Sequence, residues 1–205
     1  MAGRSTPAIV FDLGKVLLDF DYSVAVAKLE AQSRISALEL KGLLDQSPLL
    51  YRYETGLVST EEFFAVVQRQ AGFRGDLKEF GAIFGDIFSP IEPMIKLHAD
   101  LRALGLPTYL FSNTNALAIE HIRGRYSFYG LFQGHILSFE HGAMKPDPKL
   151  YEVVERLAGL RGGDLLYIDD RPENIAAGHD RDWRTILHVA PDATRGAIRR
   201  AGLRV

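Results

Sequence analysis

Residues 165–170 read Leu165-Leu166-Tyr167-Ile168-Asp169-Asp170, so that four largely apolar residues run directly into two carboxylates. A short apolar run bounded by turn residues is typical of a strand buried on both faces, as in a parallel sheet. Four similar runs occur in the chain, at Ala8–Phe11, Thr108–Ser112, 135–138 and 185–189. In chain order the run at 165–168 is the fourth of five. Segments of helical period separate the last four of these runs, at 116–123, Pro148–Ala158 and 172–180. This alternation predicts an α/β fold with a doubly wound, Rossmann-like parallel sheet.

The interval between the first two runs is unusually long. Roughly ninety residues separate Phe11 from Thr108, far more than one crossover between parallel strands needs. The interval contains helical patterns but no convincing strand, and a helix over 92–104 leads back to the sheet; the patterns lie at 23–32, Ala37–Leu44 and 60–70. We therefore predict an α/β core made of 1–17 and 90–205, with an inserted helical cap at 18–89.

The composition of the 205-residue chain excludes several classes of site. Lys and Arg number 24 against 26 Asp and Glu, which gives a net charge of −2 and no general attraction for nucleic acid or anionic lipid. The chain has no cysteine, which excludes disulfides, Cys-ligated zinc and a thiol nucleophile. No run approaches the roughly 18 apolar residues of a membrane span, and residues 1–7 do not resemble a signal peptide. We expect a cytoplasmic protein that acts on a small molecule, with no nucleic-acid or membrane partner.

Polar groups follow the predicted strands at the points where they end. In a doubly wound sheet these carboxyl ends share one rim, where ligands bind. Asp12 follows the first run, Ser112 and Asn113 the second, Lys145 the third, and Asp169 with Asp170 the fourth. Each group alone could be a turn former or a helix cap, but their joint occurrence favours a site. Three carboxylates on one rim repel each other unless a cation neutralises them, and all-oxygen ligation favours Mg²⁺.

Four motifs in this order resemble those of the haloacid dehalogenase (HAD) superfamily of aspartate-nucleophile hydrolases. They are IVFDLGKVL (9–17), LFSNTN (110–115), MKPDP (144–148) and YIDDRPEN (167–174). The segment YETGLVSTEEF (53–63) is similar to the helical cap of one HAD subgroup. Within that subgroup the chain resembles bacterial sugar-phosphate phosphatases of the α-D-glucose-1-phosphate phosphatase type.

The resemblance implies a mechanism and a set of site residues. Asp12 would attack phosphorus to form an aspartyl-phosphate that water hydrolyses. Mg²⁺ would be held by four groups: Asp12, the Gly14 carbonyl, Asp169 and, through water, Asp170. The phosphoryl oxygens would be bound by Ser112, Asn113 and Lys145, with Lys145 also offsetting the carboxylates. Asn174 would hold the last loop in place.

The chain departs from the family pattern at Gly14. HAD phosphatases usually carry there, two residues after the nucleophile, an aspartate that protonates the leaving group. Losing such a general acid is typically worth 10²–10⁴-fold in rate, so sugar 1-phosphates, with their better leaving group, are expected to be hydrolysed faster than 6-phosphates. Lys15 could donate a proton, but a structural lysine is the simpler interpretation. Asp19 and Asp21 are interpreted as the start of the cap, with Asp21 near a helix N-cap.

Two other functions are compatible with the same residues. A 2-haloacid dehalogenase also uses an aspartate nucleophile but needs no metal, so Asp169 and Asp170 argue against it. A non-catalytic HAD-fold binding protein is suggested by Gly14, whereas the presence of Asp12 and Lys145 argues against that function.

Overall fold

A computed structural model describes residues 7–205; residues 1–6, which the sequence assigns to the core, lie outside the described part. The strands of the described part are β1 (Ala8–Phe11), β2 (Leu18–Phe20), β3 (Phe88–Pro90), β4 (Thr108–Ser112), β5 (Gly134–Leu137), β6 (Leu165–Asp169) and β7 (Arg184–Leu187). Five of them form one sheet in the order β5-β4-β1-β6-β7, and all four pairings are parallel. The predicted doubly wound α/β fold is confirmed.

Helices connect these strands and make up the long interval after β1. Their bounds are α1 (Tyr22–Glu30), α2 (Ala37–Leu44), α3 (Pro48–Glu54), α4 (Thr60–Ala71), α5 (Leu77–Gly85), α6 (Glu92–Ala103), α7 (Ala116–Arg125), α8 (Ser138–His141), α9 (Pro148–Ala158), α10 (Pro172–His179) and α11 (Pro191–Arg200). Two 3₁₀ turns cover Ser127–Leu131 and Gly162–Asp164. No helix between residues 7 and 205 combines the length and apolar character needed to cross a bilayer.

The central strand β1 is buried on both faces, as the continuous apolar run predicts. All four of its residues have no exposed surface. Ile9 and Phe11 pack on one face, together with apolar residues of α6, α7 and α11. Ala8 and Val10 pack on the other face with α9. Helices on both faces give the sheet a two-sided core, which fixes the strand ends as one rigid rim.

The inserted helices have an apolar core of their own. It is built from buried residues of α1 to α5, among them Leu29, Phe63, Phe80 and Phe84. Ser59 caps α4 in a capping box with Glu62. Leu117 of α7 is also buried in this core, so the insert packs directly against the sheet domain there. The other buried members come from the insert, which supports our proposed division into a cap at 18–89 and an α/β core.

The expectation that the long interval contains no strand is wrong. β2 and β3 pair antiparallel at its two ends, and Leu18 lies opposite Pro90. The Phe20 and Phe88 rings also meet edge to face, 6.2 Å apart. Each strand has three residues, too few to show a period of two in the sequence. The ribbon exists because residues about seventy positions apart pair, and it joins both ends of the insert to the core.

Candidate active site

The polar groups that follow the strands do meet at one rim of the sheet. Asp12 comes directly after β1, Asp169 ends β6, and Asn113 follows β4. Asp12, Asp169 and Asp170 each present a carboxylate oxygen, and these atoms lie within 4.8 Å of one another. Parallel strands bring their carboxyl ends to the same edge, which is why residues more than 150 positions apart in sequence form one cluster.

Lys145 lies at the centre of this cluster, and only 1% of its side chain is exposed. Its ammonium is 2.9 Å from Oδ1 of Asp12 and 2.7 Å from Oδ2 of Asp169. It also donates to the Phe111 carbonyl at 2.9 Å. Burial opposes its charge, but the two carboxylates outweigh burial and raise the pKa of Lys145 well above its usual value. The lysine is therefore a permanent cation within the site.

The three carboxylates differ in their proton affinity. Burial raises the pKa of Asp12 to about 8, against the attraction of Lys145 and with the help of Asp169 and Asp170. Burial also raises the pKa of Asp170, with a further contribution from Asp169. The pKa of Asp169 is lowered, because Lys145 and the hydrogen bonds it receives outweigh its burial. One lysine does not neutralise three carboxylates, so the cluster retains a place for a further cation.

Asp169 is completely buried, and protein donors occupy both of its oxygens. Lys145 and the Tyr167 hydroxyl, the latter at 2.5 Å, donate to Oδ2. The Arg171 backbone N–H, at 2.8 Å, and the Asn174 amide, at 3.0 Å, donate to Oδ1. This network places Asn174 in the loop-holding position that the sequence predicts. The Tyr167 contact was not predicted, although strand alternation puts residues 167 and 169 on the same side of β6.

Ser112 and Asn113 lie at the end of β4 but have different surroundings. The Asn113 amide donates to the Lys145 carbonyl at 3.0 Å and its oxygen accepts from the Lys145 N–H at 2.7 Å. Asn113 thus fixes the backbone of the lysine loop while also facing the cavity. The Ser112 hydroxyl donates to the neighbouring Asn113 carbonyl over a long distance of 3.3 Å, and Ser112 is not among the residues that line the cavity.

The loop after β1 is shaped by Gly14. A Cβ atom at this position would lie 2.9 Å from Cε1 of Phe20, closer than packed carbon atoms approach. Lys15, in the left-handed conformation at φ 58°, pairs with Asp19 and donates to the Phe20 carbonyl at 3.1 Å. These contacts favour the structural interpretation of Lys15. Asp21 caps α1 by accepting from the Ser23 N–H at 2.8 Å, as the sequence predicts.

A cavity of about 450 Å³ lies between this rim and the inserted helices. Its floor contains Asp12, Asn113, Lys145 and Asp170. A further wall comes from the insert and includes Tyr22, Asp45, Leu50, Tyr51 and Glu54. Sequence reasoning did not assign these wall residues to the site, because the direction in which a cap residue points depends on how the cap packs against the core.

Comparison with known proteins places the chain in a family. A family model described as haloacid dehalogenase-like hydrolase matches residues 6–180. The chain belongs to that family. The HAD chain is 25% identical over 173 residues to the sesquiterpene phosphatase astK of Aspergillus oryzae, and the match covers 83% of each protein. It is 26% identical over 217 residues to acyl-CoA dehydrogenase family member 10 of Mus musculus, of which it spans only 18%.

Solved structures of HAD enzymes share the fold. The HAD enzyme BT-2542 of Bacteroides thetaiotaomicron, solved as the wild-type protein with magnesium and inorganic phosphate, superposes with a TM-score of 0.79 at 21% identity, over 91% of this chain and 96% of that one. A HAD-like hydrolase of Porphyromonas gingivalis gives 0.81 at 22% identity, over 97% and 98%. An L-2-haloacid dehalogenase of Xanthobacter autotrophicus gives 0.63 at 15% identity, over 97% and 84%. At these identities the likeness concerns the fold alone.

Proposed function

We propose that this HAD chain is a Mg²⁺-dependent phosphatase that hydrolyses a small phosphomonoester, a sugar phosphate, through an aspartyl-phosphate intermediate. The observation that carries the proposal is the juxtaposition of Asp12 and Lys145, 2.9 Å apart, in the lining of one cavity together with Asp170. A carboxylate nucleophile beside a fixed cation is the arrangement that attack on a phosphoryl group requires. The phosphatase astK and the phosphate-bound BT-2542 support the same reaction class.

The donor set of the cluster fits Mg²⁺. All candidate ligands are oxygen atoms, which a hard cation prefers, and the raised pKa of Asp12, about 8, reflects burial together with uncompensated negative charge. We propose Asp12, the Gly14 carbonyl and Asp170 as the groups that hold the ion. Asp169, whose oxygens are occupied by protein donors, would act mainly by positioning Lys145. The resemblance implies a different division, with Asp169 as a direct ligand and Asp170 acting through water.

The chain's own residues account for the positioning. Oδ1 of Asp12 accepts from the Leu13 N–H at 2.7 Å and from Lys145, which holds the carboxylate in one orientation for attack on phosphorus. Lys145 and the Asn113 amide would bind phosphoryl oxygens and offset the charge that develops on them. The Ser112 hydroxyl would join them by turning away from the Asn113 carbonyl. Bound Mg²⁺ would supply additional charge neutralisation. Water then hydrolyses the aspartyl-phosphate, and Asp12 is regenerated.

The experiment is a phosphate-release screen with purified protein and Mg²⁺. The panel contains sugar 1-phosphates, sugar 6-phosphates, p-nitrophenyl phosphate and, because of the likeness to astK, a sesquiterpenyl phosphate. We expect turnover of sugar phosphates, its loss with EDTA, its return with added Mg²⁺, and no turnover by Asp12→Asn. Turnover of the sesquiterpenyl ester alone would overturn the sugar-phosphate assignment but keep the phosphatase.

Two outcomes would overturn the phosphatase itself. Halide release from 2-chloropropionate that persists in EDTA would indicate the dehalogenase, which uses the same nucleophile without a metal. Absence of any turnover, with substrate binding retained by Asp12→Asn, would indicate the non-catalytic binding protein that Gly14 suggests.

A further inference from the structure

The proposed phosphatase lacks an acid in the usual place, and a second carboxyl group faces the same cavity. Gly14 has no side chain to protonate a leaving group, and Lys15 is engaged with Asp19 and the Phe20 carbonyl. Glu54, the last residue of α3, lines the same cavity as Asp12. We infer, on the basis of the proposed phosphatase function, that the Glu54 carboxyl protonates the leaving-group oxygen and then activates the hydrolytic water.

The backbone of Glu54 is fixed to the rim that carries the nucleophile. Its carbonyl accepts from the buried Ser138 hydroxyl at 2.5 Å, and that hydroxyl accepts in turn from the Thr114 N–H at 2.9 Å. One residue earlier, the Tyr53 hydroxyl accepts from the Leu117 N–H at 3.2 Å. The end of α3 is thus joined to the segments that follow β4 and β5. These hydrogen bonds hold the backbone of Glu54 at a fixed position relative to the rim that carries Asp12.

The turn after α3 adds a close backbone contact. Gly56 has a φ of +72°, and a Cβ there would lie 2.2 Å from the Phe139 carbonyl oxygen. Only glycine allows the turn to approach α8 this closely. This contact places the turn directly against α8 of the core. It adds to the hydrogen bonds that hold the backbone of Glu54 in position.

The surroundings of the Glu54 carboxyl favour its protonated form. Burial raises its pKa to about 7, although a hydrogen bond with the Asn115 side chain acts in the opposite direction. A general acid works best when its pKa lies near the working pH. The titratable groups that share the cavity from the insert are Tyr22, Asp45 and Tyr51. Those that share it from the core are Asp12, Lys15, Lys145, Asp170 and Arg171.

The proton and bond changes balance over the two steps. In the first, Oδ of Asp12 forms a bond to phosphorus, the bond from phosphorus to the ester oxygen breaks, and the Glu54 proton moves to that oxygen to give a neutral alcohol. In the second, water attacks phosphorus, its proton moves to the Glu54 carboxylate, and the bond between Asp12 and phosphorus breaks. Inorganic phosphate leaves, and Asp12 and Glu54 return to their starting states.

The decisive experiment compares substrates whose leaving groups differ in their need for a proton. p-Nitrophenyl phosphate expels a stable phenolate and needs no acid, whereas a sugar 6-phosphate expels an alkoxide. We expect Glu54→Gln to lower kcat/KM, which reports formation of the aspartyl-phosphate, by about 10²–10³-fold for the 6-phosphate and by less than about 10-fold for p-nitrophenyl phosphate. Hydrolysis of the aspartyl-phosphate is common to both substrates, so its slowing in the variant should lower kcat for both. In kcat/KM a sugar 1-phosphate should lie between the two, so the ratio of kcat/KM for the 1-phosphate to that for the 6-phosphate should rise in the variant.

Asp45→Asn is the matched control, because it removes another carboxyl group from the same cavity wall. It should change kcat/KM for both substrates by one common factor. A common factor in kcat/KM for Glu54→Gln as well would overturn the inference and reduce Glu54 to a structural role. Failure of the phosphatase proposal has a different signature, since the wild type would then release no phosphate from either substrate.

A measurement on the wild type alone keeps the inference falsifiable if the Gln variant does not fold. Both substrates need the same nucleophile, so the ratio of their kcat/KM values, which report formation of the aspartyl-phosphate, cancels the titration of Asp12. The ratio of kcat/KM for the 6-phosphate to that for p-nitrophenyl phosphate should fall as the pH rises through about 7, where Glu54 loses its proton. A ratio that is constant between pH 6 and 8 would overturn the inference.

Discussion

Lys145 Nζ lies 2.9 Å from Oδ1 of Asp12, and the two side chains are only 1% and 10% exposed. A buried ion pair costs desolvation when it forms, but removing one partner leaves an uncompensated buried charge. Lys145 also contacts Asp169 at 2.7 Å, so its loss would leave the Asp169 carboxylate without its cation and, once Asp12 is deprotonated, the Asp12 carboxylate as well. The pair therefore links the stability of the site to its proposed chemistry.

The first prediction concerns removal of that cation. Lys145→Met should lower the free energy of unfolding by about 3–5 kcal/mol in EDTA and abolish phosphate release. Mg²⁺ should restore part of the stability but not the activity, because the phosphoryl contact is also lost. Urea unfolding with and without Mg²⁺ measures the effect. The exposed Lys78→Met is the control, and equal losses for the two variants would contradict the prediction.

The second prediction concerns pH and metal. Burial raises the pKa of Asp12 to about 8, while the unfolded value is 3.8. The folded state thus keeps a proton that the unfolded state has released, and stability in EDTA should fall as the pH rises from about 4 to 8. The raised pKa values of Glu54, about 7, and of Asp170 act in the same direction. The pKa of Asp169 is lowered, so Asp169 has the opposite effect: its contribution to stability is lost as the pH falls below the unfolded pKa.

Thermal unfolding at pH 5 and pH 8 measures this linkage. In EDTA the melting temperature should be lower at pH 8, and Mg²⁺ should raise it most at pH 8, where the carboxylates bind the ion without first losing protons. Asp12→Asn should show a smaller pH effect and a smaller Mg²⁺ effect. A melting temperature independent of both pH and Mg²⁺ would refute the assignment of the cluster as a metal site.

Most of the sheet and the floor of the site could be predicted, because both depend on local patterns. Apolar runs identify the five strands of the main sheet, and a parallel sheet brings the groups at their ends together without further information. That is why Asp12, Lys145 and Asp170 were recognised as one cluster. The bounds of β5 and β7 are each displaced toward the N-terminus relative to their runs, 135–138 and 185–189.

The remainder depends on packing between distant segments. The pairing of β2 with β3 joins residues about seventy positions apart and leaves almost no local pattern. Glu54 reaches the cavity because Ser138 and Leu117 hold the end of α3 against the core. The sequence patterns predict helices at Ala37–Leu44 and 60–70 but none over α3, and they do not give the direction in which the Glu54 carboxyl points. The occupation of both Asp169 oxygens by protein donors is likewise visible only in three dimensions.

The third prediction tests whether an acid can be returned to its usual place. The Cβ of Gly14→Asp would lie 2.9 Å from Cε1 of Phe20, so the ring has to move, and we expect a loss of about 1–3 kcal/mol in stability. Phe20→Leu in the same chain should recover part of it. In the Glu54→Gln background, Gly14→Asp should restore 6-phosphate turnover by at least about 10-fold. No restoration by a folded double variant would show that the two carboxyls are not interchangeable.

The fourth prediction concerns Gly56, in the turn after α3. It distinguishes two causes of lost stability when a side chain is added there: the clash with Phe139 and the positive φ. Gly56 and Gly105 both have positive φ, at +72° and +77°, but a Cβ at Gly56 would meet the Phe139 carbonyl, whereas one at Gly105 would have no atom within 4 Å. Gly105→Ala should cost about 1–2 kcal/mol from the conformation alone. Gly56→Ala should cost clearly more, because the end of α3 has to move away from α8.

That displacement carries Glu54 with it, so Gly56→Ala should also lower turnover of a sugar 6-phosphate more than that of p-nitrophenyl phosphate. Gly105→Ala should affect neither substrate at temperatures where the variant is folded. Urea unfolding and the two assays, run on the same preparations, check both parts. Equal losses of stability in the two variants would show that the contact with Phe139 does not hold the turn in place, and would contradict this prediction.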